Sequence, residues 1–247
     1  MQNRYTGDIG DFGKFLLLKH LFPDERIATI WYLYPDETHN GDGSHTVEEG
    51  NITLYRNCHD IDPLMSEQFN AIHAQPLRHV GKFEELGVLN NGYFFAEQIL
   101  GEGKDYRRRW IERAVAFIRQ ENCAVVCLDP DNGVEPSSMR RLPQTKQGKY
   151  ATFKEIDRFF ALDGVVHIVI YQHFNRLKKH DEQMGEAKKR FEALYGGRAE
   201  VSIIRHNPVQ ARFYILLSKT ALDHEAKQRL SIPRYGGRPF FTVDTGS

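Results

Sequence analysis

Cys123-Ala124-Val125-Val126-Cys127-Leu128-Asp129-Pro130-Asp131-Asn132-Gly133 constrains the fold of this chain more than any other stretch. It is apolar on both faces and then turns abruptly polar, the pattern of a buried parallel strand. Parallel strands in open α/β sheets present their carboxyl ends to a ligand crevice. Asp129, Asp131 and Asn132 are therefore expected at that crevice as catalytic candidates. An acid directly after a buried strand must be solvated, paired or used. Asp-Asn-Gly is also ordinary turn chemistry, so a plain strand and turn stands beside the functional reading.

Two further apolar runs repeat the pattern. Arg26–Tyr34 is rich in aromatic and β-branched residues and predicts a strand. It runs into Pro35-Asp36-Glu37-Thr38-His39-Asn40-Gly41-Asp42-Gly43-Ser44-His45. A strand followed by a Gly-rich polar loop is where nucleotide-type cofactors dock, which makes Asp36, Thr38, His39, Gly41 and Gly43 cofactor candidates. Gly164–Tyr171 predicts a second buried strand, ending in Gln172-His173-Phe174-Asn175-Arg176. Gln172 is a substrate-side candidate and His173 a candidate base or ligand. A lone His after a strand is also commonly just a hydrogen-bonded structural residue.

The N-terminal segment carries Gly7-Asp8-Ile9-Gly10-Asp11-Phe12-Gly13-Lys14 ahead of a predicted helix that ends near Pro23. Such glycines let the backbone approach a ligand closely. Asp8, Asp11 and Lys14 are cofactor candidates and Tyr5 a substrate candidate; Asp11 serves equally well as a helix cap.

Between these runs the pattern alternates. Asn51–Cys58 predicts a strand. Residues 59–100 read as a helical insertion with a short strand near Tyr93–Ala96. Asp105–Glu121 and Tyr150–Leu162 predict amphipathic helices. Glu135–Gln147 is a long polar loop that could grip a substrate. Leu177–Tyr195 predicts a charged helix. Ala199–Arg205 and Arg212–Leu217 predict a terminal antiparallel hairpin, and 233–247 is a tail with no expected element. Strands alternating with helices over residues 1–247 imply one α/β domain with a mostly parallel sheet and helices on both faces.

Charge enters through its distribution. With 33 Lys plus Arg against 33 Asp plus Glu there is no net field, yet a basic face fits within a neutral total. Arg107, Arg140, Arg141 and Lys149 are candidate phosphate contacts for RNA or DNA. Three cysteines without a CxxC spacing suit a reducing, cytoplasmic setting. No apolar run reaches membrane-spanning length, so no membrane partner is expected.

The order of motifs resembles the class I S-adenosylmethionine-dependent methyltransferases, which finish their sheet with such a hairpin. Within that group it is most similar to the bacterial 23S rRNA adenine-N6 methyltransferases. Three places carry the resemblance: Gly7 to Asp11 leading to Lys19-His20, then Thr38-His39-Asn40-Gly41-Asp42-Gly43, then Leu128-Asp129-Pro130. The resemblance implies a Rossmann-like fold, an S-adenosylmethionine cofactor and an amino-group acceptor on nucleic acid. It departs where the family carries a proline and an aromatic after Asp-Pro; here Asp131 and Asn132 stand there, and the platform that stacks a flipped base is missing.

Two other classes compete. Asp8, Asp36, Asp129 and Asp131, with Asp11, Asp42, His45 and His173 as possible additions, suit Mg²⁺ or Mn²⁺ in a phosphodiesterase or nuclease. So many carboxylates need a cation, or raised pKa values, to coexist. A non-catalytic binding module is the third reading.

Overall fold

The apolar runs assemble into one seven-stranded sheet in the computed structural model of the chain. The structure describes residues 1–36, 56–75, 77–100, 105–208 and 212–244. The strands are β1 (Ile27–Trp31), β2 (Gly92–Phe95), β3 (Val125–Asp129), β4 (Gly133–Val134), β5 (Tyr150–Ala151), β6 (His167–His173), β7 (Glu200–His206), β8 (Arg212–Ser218), β9 (Arg234–Tyr235), β10 (Arg238–Pro239) and β11 (Phe241–Asp244). The helices are α1 (Ile9–Leu21), α2 (Pro63–His73), α3 (Lys82–Glu85), α4 (Tyr106–Gln120), α5 (Gln144–Gln147), α6 (Phe153–Phe160), α7 (His180–Tyr195) and α8 (His224–Ser231).

The sheet order is β11-β7-β8-β6-β3-β1-β2. β1 pairs in parallel with β2 and β3, and β3 with β6. β8 is antiparallel to both β6 and β7, so β7 points the same way as the parallel set. β11 closes the edge antiparallel to β7. The fold is thus α/β with a mostly parallel central sheet. The predicted hairpin is present, with its return strand β8 slotted between β6 and β7.

Strand alternation divides the core into two layers. Trp31, Val125, Cys127, Val169, Tyr214 and Leu216 face a cluster built with α1, α2, α3 and α8. Ala28, Ile30, Val126, Leu128, Ile170 and Ile215 face the other, built with α4, α6 and α7. The helices obey the same logic: α4 buries Trp110, Ile111, Ala114 and Ile118, spaced three or four apart along one stripe.

Several expectations need correction. Arg56–Cys58 forms a helical turn and no strand, while Asn51–Tyr55 lie outside the described residues. The short strand expected near Tyr93–Ala96 is present as β2, the sheet's edge strand, beside α2 and α3 in the span 59–100. The predicted helix from Tyr150 begins at Phe153, because Tyr150–Ala151 pairs with Gly133–Val134 and Thr152 caps the helix in a capping box with Glu155. Within the polar loop lie a 3₁₀ turn, Met139–Arg141, and the short α5. The described part of the tail carries a strand: β11 joins the sheet, anchored by buried Phe240 and Phe241.

Candidate functional site

The carboxyl ends of β1, β3 and β6 gather the predicted acids on the α1 face of the sheet. Asp129 shares the parity of Val125 and Cys127, and Tyr171 and His173 share that of Val169, so all three point toward α1. Arg212 starts β8 opposite His173 and has the parity of Tyr214, which brings it to the same place. Its guanidinium lies over Gly10 so closely that a β-carbon there would fall 1.3 Å from Arg212 Nη1. Glycine at position 10 is what lets the arginine sit on the helix.

α1 begins one turn earlier than its apolar pattern suggests. Asp8, and not Asp11, is the cap, accepting from Asp11 N at 2.8 Å. Asp11 is thereby freed for another task. It accepts from Gly7 N at 2.9 Å and from Lys14 Nζ at 2.8 Å. Lys14 also contacts Asp129 Oδ1 at 3.0 Å and lies 4.3 Å from the Trp31 ring centroid. Burial opposes the Lys14 charge, but Asp11 and Asp129 more than offset it and hold its pKa well above the ordinary value.

A single ammonium shared between two buried carboxylates leaves one under-compensated. Burial pushes Asp11 up from 3.8 to about 6 against the pull of Lys14, with Asp8 and Asp129 adding to the rise. The folded state binds this proton more tightly than the unfolded chain does. The stability Asp11 contributes is therefore full below its ordinary pKa and is lost as pH climbs through about 6. Denaturation of Asp11→Asn beside the wild type, from about pH 4 to about pH 7, should show the difference moving in the variant's favour as pH rises. A pH-independent difference would contradict this.

Asp131 sits in a second, adjoining set of contacts. It accepts from Gln2 Nε2 at 3.1 Å, pairs with Lys149 at 3.4 Å, and lies 3.8 Å from the Met1 amino nitrogen. That nitrogen donates to Tyr32 O at 3.0 Å. Burial works against the Asp131 charge, but the Met1 amine, Lys149 and Gln2 hold its carboxyl below the usual range. Arg212 pairs with Asp8 at 3.5 Å, and Tyr171 Oη lies 3.1 Å from His173 Nδ1. Burial and Arg212 lower the His173 pKa, so its imidazole is neutral at pH 7.

The carboxylates that suggested a metal centre are thus matched by cations of the chain itself. Among the described residues, no three His, Cys, Asp or Glu side chains converge as a metal site. Asp36 is exposed and accepts from Arg4 N at 3.2 Å.

No family model, curated protein or solved structure matches the chain.

The remaining candidates separate. Thr38, His39, Gly41, Asp42, Gly43 and His45 lie outside the described residues. Tyr5 is half-buried against the α1 layer. Gln172 braces the turn after β3: it accepts from Val134 N at 2.9 Å and covers Gly133, whose φ of +95° suits glycine. Asn132 is held by its backbone to Lys149 O at 2.9 Å. Arg140 and Arg141 are exposed on their turn. Arg107 turns to the chain itself. It binds Glu155 at 2.6 and 3.0 Å and the carbonyls of Gln147 and Tyr150 at 2.8 and 2.7 Å, so it is a structural clamp with four of its five N–H donors engaged.

Arg212, Gln2 and Tyr171 are the residues that sequence reasoning missed. Counting alternation back from Tyr214 places Arg212 on one sheet face. Nothing in the sequence says that α1 covers that face. No helix among the described residues is long and apolar enough to cross a membrane.

Proposed function

We propose that the protein is an S-adenosylmethionine-dependent methyltransferase acting on an amino group of nucleic acid. The observation that carries this reading is convergence. The N-terminal Gly-Asp segment, the end of β1 and the Asp129-Pro130 turn are far apart in sequence, yet contact one another through Lys14–Asp129, Met1–Tyr32 and Arg4–Asp36. The first and the last of these lie at two of the places that carry the resemblance, the third, Thr38 to Gly43, lying outside the described residues, and the antiparallel hairpin that closes the sheet supports the same reading.

The side chains present suit such a cofactor. Asp129 meets Lys14 through Oδ1 at 3.0 Å, and its Oδ2 has no hydrogen-bond partner among the described residues. Arg212 Nε is a buried donor with no partner. Both groups act on Tyr171, so they share one neighbourhood. The orphaned donor suits a carboxylate, such as that of the methionine end of S-adenosylmethionine, and the free acceptor suits the amino group that receives the methyl.

When bound, the cofactor supplies a methyl group on a cationic sulfur. Methyl transfer is a direct displacement, so the protein's task is alignment and exclusion of water. Asp129 Oδ2 accepts from the attacking amino group and orients it. His173, neutral and at the solvent edge, takes the proton that the nitrogen sheds. Asn132 holds the acceptor, and Arg140 and Arg141 reach its phosphates.

Calorimetric titration with S-adenosylmethionine tests the reading. Micromolar binding is expected. Asp129→Asn keeps the shape and a hydrogen bond to the site, so cofactor affinity should stay within about threefold while methyl transfer falls by about 10²–10⁴. Absence of cofactor binding in the wild type would sink the proposal.

A further inference from the structure

The loop joining β6 to α7 leaves the site at His173 and forms a cavity of about 570 Å³, lined by His173, Asn175, Arg176, Lys178, Lys179 and His180 among others. This loop is held firmly at its base. Gln183, buried on α7, accepts from Asn175 N at 2.9 Å and donates to Asn175 O at 3.0 Å and Lys178 O at 2.7 Å. Leu177 N donates to Asn175 Oδ1 at 2.9 Å. Phe174 stacks on His180 with ring centroids 4.0 Å apart and planes at 7°. Arg205 in turn contacts His180 and pairs with Asp181 at 2.9 Å.

What this bracing presents to water is unusual. Leu177 is 89% exposed at the tip. Lys178 pairs with Glu186. Arg176 and Lys179 flank the leucine, both exposed, and neither has an ion-pair partner among the described residues. Two nearby acids are engaged elsewhere, Asp181 by Arg205 and Glu186 by Lys178, and Glu182 acts on Lys178. A solvated loop has no need to be fixed so firmly, and an apolar side chain standing in water between two free cations gains nothing in folding. The same arrangement matches a nucleic-acid strand: cations for consecutive phosphates and an apolar tip for the face of an unstacked base.

We infer that the 174–180 loop is a docking site for the phosphodiester backbone of a nucleic-acid strand, guiding it to the crevice at His173 and Asp129. This rests on the nucleic-acid part of the proposed function and names the surface that would hold the substrate. Preorganisation explains the Gln183 brace, since a loop ordered in advance loses less entropy on binding.

The test is fluorescence anisotropy with labelled single-stranded RNA and DNA oligonucleotides of one sequence, titrated over a range of salt. Two phosphate contacts on a single strand contribute about 1.4 to the slope of log K against log salt. Arg176→Ala/Lys179→Ala should lower that slope by this amount and weaken binding about tenfold at low salt. Leu177→Ser should weaken binding without moving the slope. All three positions are exposed, and an unchanged S-adenosylmethionine titration in the same variants checks that the fold is intact. Wild-type binding that the double variant reproduces, with the same slope, would overturn the docking loop and leave the methyltransferase reading standing. Cofactor binding without binding of either oligonucleotide would overturn both the loop and the nucleic-acid acceptor. A preference for RNA over DNA, lost in the double variant, would support the loop and identify the strand.

Discussion

Lys14→Met is expected to destabilise the protein by about 3–5 kcal/mol, the cost of breaking a buried ion pair by removing one partner. Methionine matches the length of the lysine stem and keeps its packing on Trp31, so lost volume contributes little. What remains is two buried carboxylates, Asp11 and Asp129, facing each other without the ammonium that now lies 2.8 and 3.0 Å from them. Each must then be protonated or pull water into the core. The penalty should shrink at low pH, where protonation removes it. Removing the charge from both acids should also restore most of the loss, because a neutral cluster of similar shape needs no counter-ion. Urea denaturation of Lys14→Met and of the triple variant with Asp11→Asn and Asp129→Asn measures this directly. If the single variant lies within about 1 kcal/mol of the wild type, Lys14 is not the neutralising centre of the site. If it does not fold, the triple variant still decides, since it should fold while lacking the lysine.

The framework of the fold was legible wherever burial on both faces or strict alternation left one choice. β3 and β6 read as apolar runs with polar ends, and the β7–β8 hairpin was visible as two runs around His206-Asn207-Pro208. The edge strand β11 was not, because four residues after a Gly236-Gly237 turn carry too little pattern. Its evidence is tertiary: Phe240 and Phe241 are buried against α1 and His206. At the site, the acids could be named but their partners could not. Lys14 was expected to face a ligand and instead binds two acids, a pairing that depends on α1 lying across the ends of β1 and β3. Long-range register decides such contacts, and alternation alone cannot say which helix covers a face. Asp8 takes the cap that Asp11 was offered for, since the helix starts at Ile9 with Asp8 Oδ1 accepting from Asp11 N, and Gly10 and Gly13 leave room for Arg212 and His206 against its surface.

Arg107 was misread although a signal lay in the sequence. Three consecutive arginines look like a solvated basic end, yet Arg107 stands three, four, seven and eleven residues before Trp110, Ile111, Ala114 and Ile118, on the stripe that α4 buries. An arginine on that stripe has to meet an acid, and it meets Glu155, which is 5% exposed. Burial disfavours the Arg107 charge, but Glu155 more than compensates, and the guanidinium pKa lies above its ordinary value. Glu155 is engaged on its other sides by Thr152 N at 2.9 Å and Tyr32 Oη at 3.3 Å, so α4, α6, β5 and the end of β1 meet at this one pair. Arg107→Met should therefore cost about 3–5 kcal/mol, the larger part from the charge left on Glu155. Glu155→Gln keeps the cap acceptor and should cost less. In the double variant the two losses should fall short of their sum by at least about 1 kcal/mol, the signature of a directly interacting pair. Oligonucleotide affinity, measured on whatever fraction folds, should change by less than about twofold, because four of the five Arg107 N–H donors are held by Glu155, Gln147 and Tyr150. A tenfold loss of affinity in a variant of near wild-type stability would return Arg107 to the binding surface.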